Sequence, residues 1–273
     1  MLPAMLFSWL EDRRRRKILE QPFPQAWIAI LDRRVACYEA LDDDEQAHLR
    51  QLVQVFVAEK TWEGAGGLAI DDDVRVTIAA QACLLILGLE HDMYRQVDTI
   101  IVYPSTVVAP QRQQSFFSGG APQLHAGGMP ILGQAFGRGP VILVWDAVRK
   151  GAANAKDGHN VVFHELAHKL DMLGGGADGV PPLPDGATYD RWVEVFTREY
   201  ELLKKQHDAG RRTYLDDYAL TNGPEFFAVA TEHFFEQPER MERDHTAMYE
   251  MLRDFYRQDP AARVRRRKTS RRG

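Results

Sequence analysis

The chain has 273 residues, of which 45% are apolar and 27% charged, with a net charge of −5, the balance of an ordinary globular protein of one large domain or two tightly joined ones. Two cysteines, Cys37 and Cys83, each in an apolar helical pattern, exclude a disulfide framework or a cysteine metal cluster. No stretch reaches the roughly 18 uninterrupted apolar residues of a membrane span, and the basic run Arg13–Lys17 follows the apolar Met1–Leu10, the reverse of a secretory signal, so no membrane and a cytoplasmic location are expected.

Residues 1–63 read mostly as helix. Ala26–Ala40 has apolar positions at helical spacing, and Leu41-Asp-Asp-Asp-Glu45 opens a second helix through Leu49, Leu52, Val53, Phe56 and Val57. Gly64-Ala-Gly-Gly67 breaks the pattern. Asp71-Asp-Asp73 then opens a third helix, Val74–Leu87, apolar nearly all round and so expected to be buried. The three aspartates suit the positive end of that helix better than they suit a calcium site. Thr99–Tyr103 and Pro140–Trp145 are β-branched runs that read as strands, separated by a long loop or hairpin region, Gln111–Gly139, that is rich in Gly, Gln and Ser.

The next segment carries the chemistry. In Asn160-Val-Val-Phe-His-Glu-Leu-Ala-His-Lys-Leu-Asp171, an HExxH sequence sits inside a helical apolar pattern that Asp157 or Asn160 can cap and Gly174-Gly-Gly176 stops. Residues four apart stack on one helix face, so His164 and His168 can offer two imidazole nitrogens to one Zn²⁺. Glu165 then lies beside the metal, where a carboxylate can take a proton from an activated water and deliver it to a leaving amine. That is the chemistry of a metallopeptidase with one zinc per chain. The strand Val141–Trp145, just before this helix, is assigned to bind an extended peptide by edge addition.

Gly174–Asp190 reads as a loop, Trp192–Gln206 as an amphipathic helix, Glu225–Glu236 as a helix with Pro224 at its first position, and Pro238–Arg257 as a closing helix. A catalytic zinc usually has three protein ligands. The third has to come from Asp171, Glu225, Glu232, His233 or Glu236. Asp171 shares a helix with the histidines and is better placed to orient a ligand, while Glu225 and Glu232, seven apart on one face, are not separated by spacing.

His164-Glu-Leu-Ala-His-Lys-Leu-Asp171, followed by Asp216-Asp-Tyr-Ala-Leu-Thr-Asn-Gly-Pro-Glu-Phe-Phe-Ala-Val-Ala-Thr-Glu-His-Phe-Phe235, resembles the Mlc titration factor A family, a distant relative of the anthrax lethal factor catalytic domain. The resemblance extends to Phe7-Ser-Trp-Leu and to Ile101-Val-Tyr-Pro104, although the two longer motifs carry its specificity. It implies Glu225 as third zinc ligand and Tyr218 as donor to the oxyanion of the tetrahedral intermediate. Glu232 then becomes a carboxylate that holds a ligand histidine. It also implies aminopeptidase activity and binding of the Mlc transcription repressor, with a role in sugar uptake. A non-enzymatic protein that titrates a repressor is the alternative; an intact HExxH argues against it, since pure binding has no use for Glu165.

The expected fold is therefore α-rich α+β, a zincin-like peptidase of the gluzincin type with a small sheet packed on the HExxH helix. Residues 1–262 are expected to form a single domain, a helical part of about 1–95 on a catalytic part of about 96–262. Residues 263–273, with seven positive charges, are expected to be a disordered basic tail and the one segment suited to nucleic acid.

Overall fold

In a computed structural model of the chain, residues 12–105 and 139–270 are described, so Phe7-Ser-Trp-Leu and most of the Gln111–Gly139 region lie outside the described residues. Eleven α-helices and a three-stranded sheet are present among them. Helix α1 (residues 12–19) leads into α2 (Gln25–Arg34) and α3 (Asp43–Glu59). A capping box starts α3: Asp42 accepts from the Glu45 backbone N–H, and the Glu45 side chain accepts from Asp42 N. The periodicity across Ala26–Ala40 breaks after Arg34 and resumes only as a 3₁₀ turn, Tyr38–Ala40.

Helix α4 (Asp72–Leu85) is the spine. Val74 and every residue from Val76 to Leu85 are buried, as all-round apolarity requires, because α2, α3, α5 and α6 all pack against it. Its three aspartates each have a local use. Asp71 caps Val74 N at 3.0 Å, Asp72 accepts from Trp27 Nε1 at 2.8 Å, and Asp73 takes Arg33 and Arg34 of α2, both at 2.7 Å.

The sheet is wholly parallel, in the order β1 (Thr61–Gly64), β2 (Thr99–Tyr103), β3 (Val141–Val144). Strand β1 has no alternation to reveal it; its pairing with β2, register Thr61 to Thr99, makes it a strand. Helix α5 (Trp145–Ala153) follows β3 directly, where only a strand end was expected. The start of β3 is fastened to the next helix, α6 (Val161–Asp171), by Lys169 Nζ, which donates to Gly139 O at 3.0 Å.

The remainder is helical: α7 (Gly186–Asp208), α8 (Gly223–Glu236), α9 (Pro238–Asp244), α10 (Thr246–Tyr256) and α11 (Pro260–Ser270). The helix expected over Pro238–Arg257 is divided at His245, whose ring turns back to Glu199 at 2.7 Å. One continuous set of buried apolar side chains runs from Ile30 to Ala261, joining the N-terminal helices to the segments around α6 and α8. Among the described residues no helix is long and apolar enough to cross a membrane.

The C-terminal basic run departs from expectation. Up to Ser270 it is helix α11, not a disordered tail beyond residue 262, because carboxylates from distant segments meet its charges. Arg263, only 7% exposed, bonds Glu45 at 2.8 Å and Gln258 at 2.9 Å. Arg265 pairs with Glu242, Arg266 with Asp42, Arg267 with Glu39 and Lys268 with Glu239.

Candidate metal centre

The centre lies where α6 meets α8. Helix α6 forms because Asn160 Oδ1 accepts from Val162 N and Phe163 N, both at 3.1 Å, while Val162, Phe163, Leu166 and Leu170 bury its apolar face. It ends at Asp171, followed by a 3₁₀ turn and Gly175 at φ 100°. His164 and His168 therefore stand one turn apart on one face, with Nε2 atoms 3.1 Å from each other.

From the other side comes the first turn of α8. Asn222 caps it by accepting from Glu225 N at 2.9 Å, and Pro224 preorganises its start. Asn222-Gly-Pro-Glu is thus the local signal that fixes where the helix begins, and with it the position of Glu225. Glu225 Oε2 lies 3.0 Å from His164 Nε2 and 3.3 Å from His168 Nε2. These are the only three residues among the described ones whose ligand atoms cluster in this way.

Three donor atoms separated by 3.0 to 3.3 Å come near the edges of a tetrahedron around one ion, since metal–ligand bonds of about 2.0–2.2 Å at tetrahedral angles give edges of about 3.3–3.6 Å. The electrostatics agree. Burial opposes charge on either partner, yet the Glu225 and Glu232 carboxylates push His164 up to about 10, and the two histidines pull Glu225 down to about 2.

Glu165 stands beside this cluster with Oε1 buried and without a hydrogen-bond partner among the described residues. Burial, opposed by His164 and His168, raises its carboxyl. An orphaned carboxylate oxygen is costly unless something donates to it, and a water held between metal and base would do so.

Glu232 Oε1 lies 2.8 Å from His164 Nδ1, the ring nitrogen opposite the Nε2 that meets Glu225 and His168. Tyr218 is 38% exposed but is no stray surface residue. Its ring lies 6.1 Å from that of His164, and burial followed by the Glu225 carboxylate pushes its hydroxyl up to about 12. Its turn is held by Asp216, which accepts from Tyr218 N at 2.8 Å, and by Tyr200 OH, which donates to Leu220 O at 3.0 Å.

Asp171 does not orient a ligand. Fully buried, it accepts Gly179 N at 3.1 and 3.0 Å, and so anchors the loop after α6. His233 bonds Val229 O at 3.0 Å, and Glu236 turns to residues 158–160. The anchored loop presses on the start of α8: a Cβ on Gly179, at φ 84°, would stand 2.4 Å from Gly223 O. Neither Gly179 nor Asn222 was expected from the sequence to matter. Gly179→Ala is expected to cost more than about 1 kcal/mol of stability, because both backbone angle and space are unavailable. Urea unfolding measures it, and an unchanged midpoint would show that the loop can give way.

Two helical histidines and a carboxylate from a second helix form a group that could hold one metal ion, with Glu165 beside it, as a metallopeptidase requires. The chain matches the family described as glucose-regulated metallo-peptidase M90 over residues 9–257, and it belongs to that family. It is 32% identical over 231 residues to Mlc titration factor A of Serratia proteamaculans, covering 83% of this chain and 85% of the relative. Mlc titration factor A of Edwardsiella ictaluri is 32% identical over 250 residues, 89% of each chain. A Synechocystis protein called uncharacterized protein slr2042 is 36% identical over 253 residues, covering 92% of this chain and 90% of that one.

Proposed function

We propose that the protein is a zinc-dependent peptidase with a gluzincin-type site, in which His164, His168 and Glu225 hold one Zn²⁺, Glu165 is the base and acid, and Tyr218 is the oxyanion donor. The observation that carries this reading is the convergence of three donor atoms at 3.0 to 3.3 Å next to an unpartnered Glu165 oxygen. Bound there, zinc supplies a Lewis acid for the scissile carbonyl and lowers the pKa of water toward 7.

The chain's own residues do the rest. Glu165 takes the proton of the attacking water as the C–O bond forms, then delivers it to the nitrogen as the C–N bond breaks. Tyr218 donates its hydroxyl hydrogen to the oxyanion. Glu232 keeps His164 in one tautomer and one orientation. Strand β3, which pairs only with β2 among the described residues and is tied to α6, is the edge we assign to the peptide backbone. These features support a zincin-like arrangement; the aminopeptidase preference rests on the family resemblance.

A panel of chromogenic aminoacyl substrates, assayed with and without chelator, tests the reading. Hydrolysis that chelator removes and zinc restores is expected, and chelator-resistant hydrolysis, or none across peptides as well, would overturn it. Tyr218→Phe is expected to keep its zinc and lose about 10²- to 10³-fold in turnover. Wild-type rates for that variant would move oxyanion stabilisation elsewhere.

The names of the enterobacterial relatives favour a second reading alongside the first. In it the protein also binds an Mlc-like transcription repressor in the cytoplasm and so takes part in the control of sugar uptake. If binding and catalysis are separate, the Glu165→Gln protein still captures such a repressor while peptide hydrolysis is lost.

A further inference from the structure

Helix α8 carries a third glutamate in line with Glu225 and Glu232. Spaced seven and then four residues on, Glu236 lies one turn beyond Glu232, meets the turn that precedes α6 and is only 4% exposed. It touches no metal-site atom. Its Oε2 accepts from Gly158 N at 2.9 Å and His159 N at 3.1 Å, and its Oε1 accepts from Asn160 Nδ2 at 3.2 Å.

Asn160 is the hub. Its Oδ1 caps α6, its backbone N–H donates to Glu232 Oε2 at 2.5 Å, and its backbone oxygen accepts from His164 N at 2.9 Å. The other oxygen of Glu232 is the one on His164 Nδ1. The turn before α6 is therefore gripped by two carboxylates, one of which also grips a histidine of the site. A second contact fixes it from the side: Gly158, at φ 81°, lies so close to the His233 ring that a Cβ would stand 2.7 Å from Nε2.

We propose that Glu236, acting through Asn160, is a positioning residue for the metal centre, setting the height at which α6 presents His164 to Glu232 and Glu225. The proposal rests on the metallopeptidase reading above. Burial opposes a charge on Glu236, so a site that needed only packing is served better by an apolar side chain. What the carboxylate adds is three acceptor contacts to one turn. A displacement of about 1 Å is costly at such a site.

Two substitutions each break one link and leave the rest. In Glu236→Gln the amide oxygen can still take Gly158 N and His159 N, but its NH₂ faces the Asn160 NH₂, which cannot flip because Oδ1 is committed to the cap. Asn160→Asp keeps an acceptor for that cap and sets a carboxylate against Glu236. Together they restore a donor and an acceptor, since the new amide can donate to the new carboxylate. Each single variant is expected to bind zinc about 10- to 100-fold more weakly against a competing chelator and to lose kcat at an unchanged KM. The double variant is expected to regain wild-type zinc affinity and kcat.

Single variants that melt lower yet bind zinc and turn over like wild type would reduce Glu236 to a stability role and overturn the proposal. So would a double variant as impaired as the two singles combined. Asn160→Ser, which keeps a capping hydroxyl and merely deletes the link to Glu236, replaces either single that does not fold and carries the same expectation. Wild-type protein that binds no zinc sinks the metallopeptidase reading itself. Wild-type protein that binds zinc, with variants indistinguishable from it, sinks only the role of Glu236.

Discussion

Glu165→Gln protein is expected to purify with its zinc and to hydrolyse peptides about 10²- to 10⁴-fold more slowly than wild type. The amide keeps the size of the side chain and can still hydrogen-bond a water, but it cannot take a proton. Glu165 bonds to none of His164, His168 and Glu225, and its buried Oε1 has no partner among the described residues, so its substitution removes no hydrogen bond that holds the ligands in place. Zinc analysis and steady-state kinetics on one preparation check both halves. Undiminished turnover would assign the base to another residue, and loss of zinc would make Glu165 part of the metal's support.

The second large effect concerns the metal ligands. His164→Ala, His168→Ala and Glu225→Gln are each expected to lose zinc almost completely, because removing one of three donors removes charge compensation and geometry together. Glu232→Gln is expected to be milder, weakening zinc binding about 10- to 100-fold, since Glu232 acts on the far nitrogen of His164 and not on the ion. The two glutamates share a helix face, yet only Glu225 Oε2 reaches both Nε2 atoms. A chelator-competition titration in which Glu225→Gln bound zinc normally and Glu232→Gln did not would reverse the assignment.

What was legible in the sequence follows the range of the interactions involved. The helix carrying His164 and His168 is specified within a dozen residues, by its apolar spacing, Asn160 as cap and the glycines after Asp171, so it could be placed without any partner. The choice of Glu225 over Glu232 could not be made from spacing. It depends on where α8 begins against α6, which Asn222 and the close approach of Gly179 to Gly223 decide. Family resemblance supplied that long-range information.

The misread segments have the same cause. Arg263–Lys268 looks like a solvated charge run unless one knows that Glu39, Asp42 and Glu45, more than 200 residues earlier, face it along with Glu239 and Glu242. Strand β1 is four residues with no alternation and exists by virtue of β2. Asp171 has the spacing of a residue that orients a ligand, but its donor is Gly179, a glycine in a loop that spacing cannot place. Local patterns are read from the chain, and pairings across it are settled by packing.

Zinc stoichiometry, determined in parallel on wild type, His164→Ala, His168→Ala and Glu225→Gln, tests the centre most directly. One zinc per wild-type chain and essentially none in the three folded variants is the expected result. Zinc retained undiminished in both histidine variants would place the metal away from the junction of α6 and α8 and contradict the assignment.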